Sequence, residues 1–423
     1  MASSSRAAEP SLVFDKLDID MVVKVLTHTA FGPFFLFLVP VFFFFQGVPL
    51  DDPLIRYSTY WFLLVCFGWF VKWWSTLHRN QGSFLFAPPP LDWSEQVVLI
   101  TGGASGIGEL LANTLAVRNV AVVVLDIAPI QSDHYNIAYY KCDVSKWEEV
   151  EAVAKTVIEE IGQPTIIVNN AGIVQAKLIL DLSPAEIERT FAVNTLSHFW
   201  TLKAFLPGMI KQKAGHIITM SSALGFVGTA QMADYNASKA AVLSLNKSLR
   251  YELDKRYNCP AIRTTVVCPG HVWTKMFRDV HLPTNPLFSF FAPSIEPVAV
   301  VKRIVQAIDD QNSQEILLPF YVKFVPVSQL LPSFLVDLVQ KVRAYVAAVQ
   351  DSRGAEFVPT DVGRRLRVCA PGQRRDREEW VVGFIVVPRP VLFVVMMNAS
   401  PFGVLCCRLL ARKGRSRTLG QAA

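Results

Sequence analysis

The sequence predicts an α/β protein whose main domain is a doubly wound parallel sheet. Three observations indicate this fold: short β-branched runs alternate with helical patterns over residues 93–332, a glycine-rich turn follows the first run, and a helix follows that turn. Strands that are covered by helices on both faces of a sheet read as continuous apolar runs. We expect apolar helices before this domain and a poorly ordered tail after it.

The composition narrows the class of protein. Of the 423 residues, 52% are hydrophobic and 18% are charged, and the mean hydropathy is +0.33. These values exclude an intrinsically disordered chain and argue against a wholly soluble one, since soluble domains average about 25% charged residues. The 7 cysteines include no Cys-x-x-Cys pair. We therefore expect neither a disulfide framework nor a metal site.

The net charge of +6 is concentrated at the C-terminal end. Residues 351–423 hold 13 basic and 6 acidic residues, whereas the rest of the chain holds 28 and 29. Because the excess charge lies outside the core, nucleic acid is not an expected partner. We predict that residues 351–423 are a basic tail of low order; the alternative is a surface tail attracted to anionic lipid.

Two apolar runs predict a membrane anchor within residues 1–86. Residues 31–45 and 57–74 flank an acidic link. As helices they reach about 22 and 27 Å, which is short of a hydrocarbon core of about 30 Å. A hairpin or a thin two-pass anchor fits these lengths, and Lys24, Lys72 and Arg79 place both ends in the cytosol. The alternative is a buried helical pair inside a globular protein.

A proline-rich linker over residues 87–92 leads into the predicted catalytic domain, residues 93–350. Its strands are expected at residues 97–100, 120–125, 165–168, 216–220 and 262–267. The first strand leads directly into the loop Thr101–Gly108, in which Gly102, Gly106 and Gly108 permit a tight turn and close approach of a pyrophosphate. Ser105 and Ile107 complete this loop at a helix N-terminus, which favours phosphate.

Asp126 ends the second strand, 24 residues after Gly102. A carboxylate at this position accepts hydrogen bonds from the adenosine ribose and repels a 2′-phosphate. Because no basic residue lies in the glycine-rich loop or directly after Asp126, the sequence favours NAD over NADP as cofactor.

Tyr235 and Lys239 are four residues apart, so a helix presents both on one side. An ammonium group near the phenol is expected to lower the pKa of Tyr235 from about 10, which would make it a general acid/base. Ser222 lies at the end of the fourth strand, where the active site of an open α/β sheet belongs, and its hydroxyl could hold a substrate oxygen.

These motifs, together with Asn169–Gly172, Asn194 and Pro269–Thr274, resemble the short-chain dehydrogenase/reductase family, whose fold is Rossmann-like. The resemblance covers about residues 93–332. It implies that Tyr235 is the catalytic acid/base, that Lys239 binds the nicotinamide ribose, that Ser222 positions the substrate carbonyl and that Asn194 holds a water in a proton relay. The remaining cofactor contacts that it implies are Asp143, Val144, Asn170, Ala171, Gly172, Pro269, Gly270, Val272 and Thr274.

The apolar N-terminus and the segments 317–321 and 330–332 resemble a membrane-anchored branch that includes retinol dehydrogenases and 17β-hydroxysteroid dehydrogenase-like lipid-droplet enzymes. Residues 275–291, where such folds carry a substrate lid, are rich in Met, Leu and Phe and favour a lipophilic alcohol or ketone. The alternative is that these side chains pack on the core or contact the membrane.

We therefore expect an NAD-linked oxidoreductase of a hydrophobic alcohol such as a retinoid or sterol. Its expected location is the endoplasmic reticulum membrane or the lipid droplet, with the catalytic domain in the cytosol. A second copy of the chain is an expected partner. The alternatives are an NADPH-dependent lipid ketone reductase, against which Asp126 argues, and a non-catalytic scaffold, which would not need Asn194, Ser222, Tyr235 and Lys239.

Overall fold

The computed structural model describes residues 18–80, 89–277, 286–332 and 334, and two strands at 380–384 and 394–398. The chain divides into two compact units, residues 1–356 and 357–423. In the second unit, strands Trp380–Phe384 and Val394–Asn398 pair antiparallel. The sequence analysis did not predict these strands, and the rest of the predicted low-order tail lies outside the described residues.

Three helices precede the catalytic domain: α1 (Ile19–His28), α2 (Pro33–Phe45) and α3 (Pro53–Asn80). By length and composition α3 could cross a membrane, and α1 with α2, bent by 54°, could form one broken span. The tip of the α2–α3 hairpin is the acidic link, and Trp69 Nε1 of α3 donates to the carbonyl of Phe31 at 3.0 Å. Most side chains of α2 and α3 are exposed, which argues against a buried helical pair.

A seven-stranded, fully parallel sheet forms the catalytic domain, with spatial order β3-β2-β1-β4-β5-β6-β7. The strands are β1 (Val97–Thr101), β2 (Ala121–Asp126), β3 (Ile137–Lys141), β4 (Ile166–Asn169), β5 (Gly215–Met220), β6 (Ile262–Pro269) and β7 (Gln314–Leu318). The order reverses between β1 and β4, so the sheet has a topological switch point there. The predicted doubly wound fold is confirmed.

The connecting helices cover both faces of the sheet. They are α4 (Gly106–Ala116), α5 (Trp147–Glu160), α6 (Pro184–Phe191), α7 (Ser197–Gln212), α8 (Ala233–Lys255), α9 (Pro286–Phe291), α10 (Pro297–Asp309) and α11 (Val325–Ser328). Side chains alternate along each strand, so Val98 and Ile100 pack in the core layer that contains α4 and α10, while Leu99 packs in the layer that contains α5 and α7.

Two strands of this sheet were not expected from the sequence, and both of them, β3 and β7, are its edges. All five residues of β3 are partly or fully exposed, whereas β1 and β4 are almost entirely buried. An edge strand is paired on one side only and needs no continuous apolar run. The rule that located the central strands therefore does not detect these two.

His216 on β5 predicts acid lability of the fold. Its ring is buried and its Nε2 lies 2.8 Å from Thr265 Oγ1. Burial lowers its pKa to about 3. The unfolded chain binds a proton below about pH 6.5 and the folded chain does not, so stability falls as the pH drops from 6.5 toward 3.

Between pH 7 and pH 5 the wild type should lose about 2 kcal/mol of its free energy of unfolding through His216, and His216→Gln should abolish that part of the loss. The exposed His78 provides the matched control, His78→Gln. Urea unfolding of the full chain in detergent at both pH values measures the difference. Equal pH dependence in wild type and His216→Gln would show that His216 is not buried in its neutral form.

Candidate active site

A cleft of about 290 Å³ opens at the carboxyl ends of the strands, around the switch point between β1 and β4. This is the place where open α/β sheets bind ligands. Two sides of the cleft differ in character: the loops after β1 and β4 contribute glycines and polar groups and β2 contributes Asp126, while the segment after β6 contributes Met276 and Phe277.

The glycine-rich loop is shaped for a bound phosphate. Gly102 has φ +66°, and a Cβ there would lie 2.8 Å from the Cα of Ala171 on the neighbouring loop. Ser105 is the N-cap of α4, yet its side chain makes no capping hydrogen bond. The first-turn N–H groups of α4 are thus left for a ligand, as at other anion-binding helix N-termini.

Asp126 at the end of β2 lines the cleft and also holds the glycine-rich loop. Its Oδ2 accepts a hydrogen bond from the N–H of Ala104 at 2.9 Å, and its Oδ1 accepts one from the N–H of Ala128 at 3.0 Å. The carboxylate therefore has a structural role that the sequence analysis did not predict, in addition to the expected ribose contact.

Asn170 fastens the loop after β4 to the loop after β1. Its Nδ2 donates to the carbonyls of Thr101 at 3.1 Å and Gly102 at 2.9 Å, while the Thr101 hydroxyl accepts from the N–H of Asn170 and of Ala171. The side chain of Asn170 is thus engaged with the protein. Thr101, which the sequence analysis did not single out, positions both loops.

Tyr235 and Lys239 lie one turn apart on α8, and both are buried at the base of the cleft with Ser222. The Lys239 Nζ donates to the carbonyl of Met220 at 2.8 Å and lies 5.8 Å from the centre of the Tyr235 ring. The ring of Phe277 meets the Tyr235 ring edge-on, with centroids 6.2 Å apart. The predicted Ser–Tyr–Lys constellation is therefore assembled in one place.

The pKa of Tyr235 corrects one expectation. Burial raises it to about 12, and the Ser222 hydroxyl is close enough to oppose that rise. The sequence analysis expected a lowered pKa from Lys239, but the ammonium lies over the ring and burial of the phenol dominates. Burial also lowers the pKa of Lys239 to about 8. At neutral pH the phenol is therefore protonated and Lys239 is cationic in this structure.

Asn194 occupies a five-residue π-helical turn, Ala192–Leu196, between α6 and α7. It is fully buried; its Oδ1 accepts from the N–H of Ile173, and its Nδ2 donates to the carbonyl of Ile173 and to Ser238 Oγ. A Cβ on Gly172 would lie 3.5 Å from both Asn194 Oδ1 and Lys239 Nζ. Asn194 thus borders Lys239, and its expected role in a proton relay remains a prediction.

Of the predicted site residues, all but Gly108 and Asn194 line the cleft; these two lie directly behind it. Ten lining residues were not among the predicted site residues. Ile127 and Cys142 adjoin predicted ones, whereas Arg189 lies on α6 and Val193 lies in the π-helical turn, which has no recognisable sequence signal. The others are Ile173, Met220, Ser221, Lys275, Met276 and Phe277. Residues 278–285 of the expected lid lie outside the described residues.

These features fit a dinucleotide. The glycines let a phosphate group approach the backbone of the loop closely, and the N-terminus of α4 has no side-chain cap. Asp126 follows the loop at the spacing typical of the carboxylate that binds an adenosine ribose. A protonated phenol beside an amine and a hydroxyl is suited to proton transfer with a carbonyl or alcohol oxygen. Fold and site together define a nicotinamide-dependent oxidoreductase.

The comparisons with known proteins specify the family. A family model described as short chain dehydrogenase matches residues 96–284. Dehydrogenase RED2 of Cochliobolus heterostrophus is 40% identical over 179 residues, which are 42% of this chain and 68% of that protein. Retinol dehydrogenase 10-B of Xenopus laevis is 33% identical, and the match covers 62% of this chain and 82% of that protein. Retinol dehydrogenase 10 of Bos taurus is 36% identical over 53% of this chain and 75% of its own.

The chain belongs to the short-chain dehydrogenase family, in its retinol dehydrogenase-like branch. It is an oxidoreductase that acts on alcohol or ketone groups with a nicotinamide cofactor.

Proposed function

We propose that this chain is a membrane-anchored, NAD-linked dehydrogenase of lipophilic alcohols such as retinoids or sterols. The proposal places its catalytic domain on the cytosolic side of the endoplasmic reticulum membrane or on a lipid droplet. The main support is that one compact unit contains both the Ser222–Tyr235–Lys239 site and apolar helices whose side chains are exposed. The names of the retinol dehydrogenase relatives support the substrate class.

In the proposed reaction Tyr235 moves the proton and the other residues orient the reactants. A bound nicotinamide would supply the hydride acceptor for the carbon that carries the substrate oxygen. Ser222 Oγ holds that oxygen next to Tyr235, whose phenolate takes the hydroxyl proton as the alcohol becomes an aldehyde or ketone. Lys239, cationic below about pH 8, lies over the Tyr235 ring and binds the ribose. The first turn of α4 binds the phosphates.

Ketone reduction is the second candidate, and the protonation state of Tyr235 favours it. With a pKa of about 12 the phenol is protonated at neutral pH, as the donor in ketone reduction must be, whereas oxidation requires it to lose its proton first. This observation concerns the direction of the reaction alone. The choice of cofactor depends on Asp126, which favours NAD.

The lining near Tyr235 supports a lipophilic substrate. Ile173, Met276 and Phe277 line the same cleft as the catalytic phenol, and Phe277 covers its ring edge-on. Apolar walls with a few convergent polar groups are typical of small-molecule sites. Turnover of all-trans-retinol or a sterol in vesicles, read by NADH fluorescence, tests the proposal; oxidation of short polar alcohols alone would contradict it.

Asp126 should set the choice of cofactor. Asp126→Ala removes the charge that opposes a 2′-phosphate, so the ratio of kcat/KM for NAD to that for NADP should fall roughly tenfold or more. Because the carboxylate also holds Ala104 and Ala128, Asp126→Asn serves as the matched variant: it keeps an acceptor oxygen without the charge. Steady-state kinetics with both cofactors give the ratio. A wild type that prefers NADPH would favour the ketone reductase.

The N-terminal helices should hold the protein in the membrane. Leaving exposed residues such as Phe45 and Phe67 in water costs about 25 cal/mol per Å² of apolar surface. The full chain should therefore resist extraction with alkaline carbonate, and a chain beginning at Trp93 should be largely soluble. The catalytic domain should also be accessible to protease in intact microsomes. Membrane retention of the shortened chain would place the anchor elsewhere.

A further inference from the structure

We propose that the carboxyl edge of the catalytic sheet, where the cleft opens, faces the bilayer that holds α3, so that a lipid-dissolved substrate enters the cleft directly from the membrane. This inference rests on the proposed anchoring. It adds the orientation of the catalytic domain and the route of the substrate, neither of which follows from anchoring alone.

The end of α3 is fixed to the amino edge of the sheet. The Oδ1 of Asn80 accepts from the N–H of Ser313, just before β7, and the Asn80 carbonyl accepts from the guanidinium of Arg263, at the start of β6; both distances are 2.5 Å. Asn80 is buried although the preceding turns of α3 are exposed. The C-terminal end of α3 therefore touches the edge opposite the cleft.

An earlier part of α3 lies at the carboxyl edge. Lys72 precedes Asn80 by eight residues, about 12 Å along a helix. Lys72 and Arg303 are close enough to Lys323, in the turn Phe320–Phe324 after β7, to add to the lowering of its pKa that burial causes. Lys72 is therefore near the turn that follows β7, whereas Asn80 is bound at the residue that precedes β7. The apolar part of α3, which precedes Lys72, projects beyond the cleft edge.

The residues around Lys72 are typical of a water–lipid boundary. Trp69, Trp73 and Trp74 lie within one turn on either side of it, and the Lys72 ammonium lies 5.3 Å from the centre of the Trp69 ring. Tryptophan and lysine gather at membrane interfaces because each has an apolar body and a polar end. The boundary on α3 is therefore level with the carboxyl edge of β7.

Helix α1 meets the domain at the same edge. The carboxylate of Asp20 accepts a hydrogen bond of 2.8 Å from the N–H of Phe320, directly after β7. The exposed side chains of Met21, Val25 and Leu26 make α1 a helix suited to lie in the interface. Two N-terminal helices, α1 and α3, thus place the cleft edge toward the lipid.

Exposed apolar side chains cluster on the loops of this edge. They follow β4, β6 and β7, with Leu180 94% and Leu330 84% exposed; the others are Leu178, Ile179, Trp273, Met276, Phe324 and Val327. Large exposed apolar residues also occur where helices end toward the amino edge, but they are spread over separate helix ends: Val117, Tyr135, Ile158 with Ile161, and Tyr251 with Tyr257. Continuous apolar patches mark surfaces that bind a partner, and the adjoining α3 identifies that partner as lipid.

Site-specific fluorescence in the full chain tests the orientation. Cys66, Cys369, Cys406 and Cys407 are replaced by alanine, leaving only buried cysteines. Leu180→Cys or Leu330→Cys then carries a nitrobenzoxadiazole label in phosphatidylcholine vesicles that contain a nitroxide near the headgroup. Emission at both positions should fall by about half, as for side chains in the headgroup region. The equally exposed controls Val117→Cys and Tyr135→Cys should change little.

A chain in which Cys66 is kept and labelled, while Cys369, Cys406 and Cys407 are replaced by alanine, reports on the anchor itself, because Cys66 lies in the apolar part of α3. Quenching at Cys66 without quenching at Leu180 and Leu330 would overturn the orientation and leave the anchor standing. Absence of quenching at Cys66 would overturn the anchor and the orientation with it. If the label at position 180 were shielded in proportion to the amount of protein per vesicle, and not quenched by the nitroxide, this surface would bind a second copy of the chain, against the proposal.

Discussion

Tyr235→Phe is expected to lower kcat by about a thousandfold while leaving cofactor affinity nearly unchanged. The substitution removes one hydroxyl from a buried ring, and general acid/base groups contribute about 10²- to 10⁴-fold to a rate. The ring itself stays in place because Phe277 packs edge-on against it. NADH formation measures kcat, and quenching of protein fluorescence measures cofactor binding.

Two further variants make this result specific. Tyr251→Phe, on the exposed side of the same helix, should be fully active. Lys239→Ala should reduce both turnover and cofactor affinity, because the ammonium is expected to contact the cofactor as well as the phenol. Retention of more than a few per cent of activity by Tyr235→Phe would show that another group moves the proton.

Gly108→Ala should reduce kcat/KM by about a hundredfold or more through loss of cofactor binding. A methyl group at this position would overlap the carbonyl oxygen of Gly102 and lie 2.6 Å from Asn170 Nδ2. The start of α4 would have to move away from β1, and a displacement of about 1 Å in a binding site can cost about a hundredfold.

Gly68→Ala is the control for Gly108→Ala, since nothing lies within 4 Å of the added methyl group. Thermal unfolding of both variants separates loss of fold from loss of binding. A folded Gly108→Ala protein that binds NADH normally would mean that the loop tolerates the shift, and that the close packing of α4 on β1 does not shape the phosphate site.

The central fold could be predicted from the sequence because its strands are buried on both sides. The apolar run of β4 and the Gly102–Gly108 loop each have one interpretation in an alternating β/α pattern. The edge strands β3 and β7 escaped because partial exposure leaves no such run. The register of the sheet, and with it the switch point, depends on pairing between strands that are far apart in the sequence. A local pattern of apolar residues does not contain this information.

The candidate site was predicted best where the residues form a motif with a characteristic order and spacing. Tyr235, Lys239 and Ser222 meet as expected. The pKa of Tyr235 was not predicted correctly in direction, since spacing on a helix says nothing about how deeply a phenol is buried. Val193 was missed because a π-helical turn shifts which side chains face the cleft, and Arg189, on the preceding helix α6, belongs to no motif of the sequence.

The two hydrogen bonds made by Asp126 limit how this enzyme could change its cofactor in evolution. In the proposed NAD-linked enzyme, the carboxylate that would repel a phosphorylated ribose also supplies the two oxygens that hold Ala104 and Ala128. Any single mutation that removes the charge while keeping the side-chain length leaves only one acceptor oxygen. A lineage drifting toward NADP would therefore pass through a less stable intermediate unless a second substitution first secured the loop.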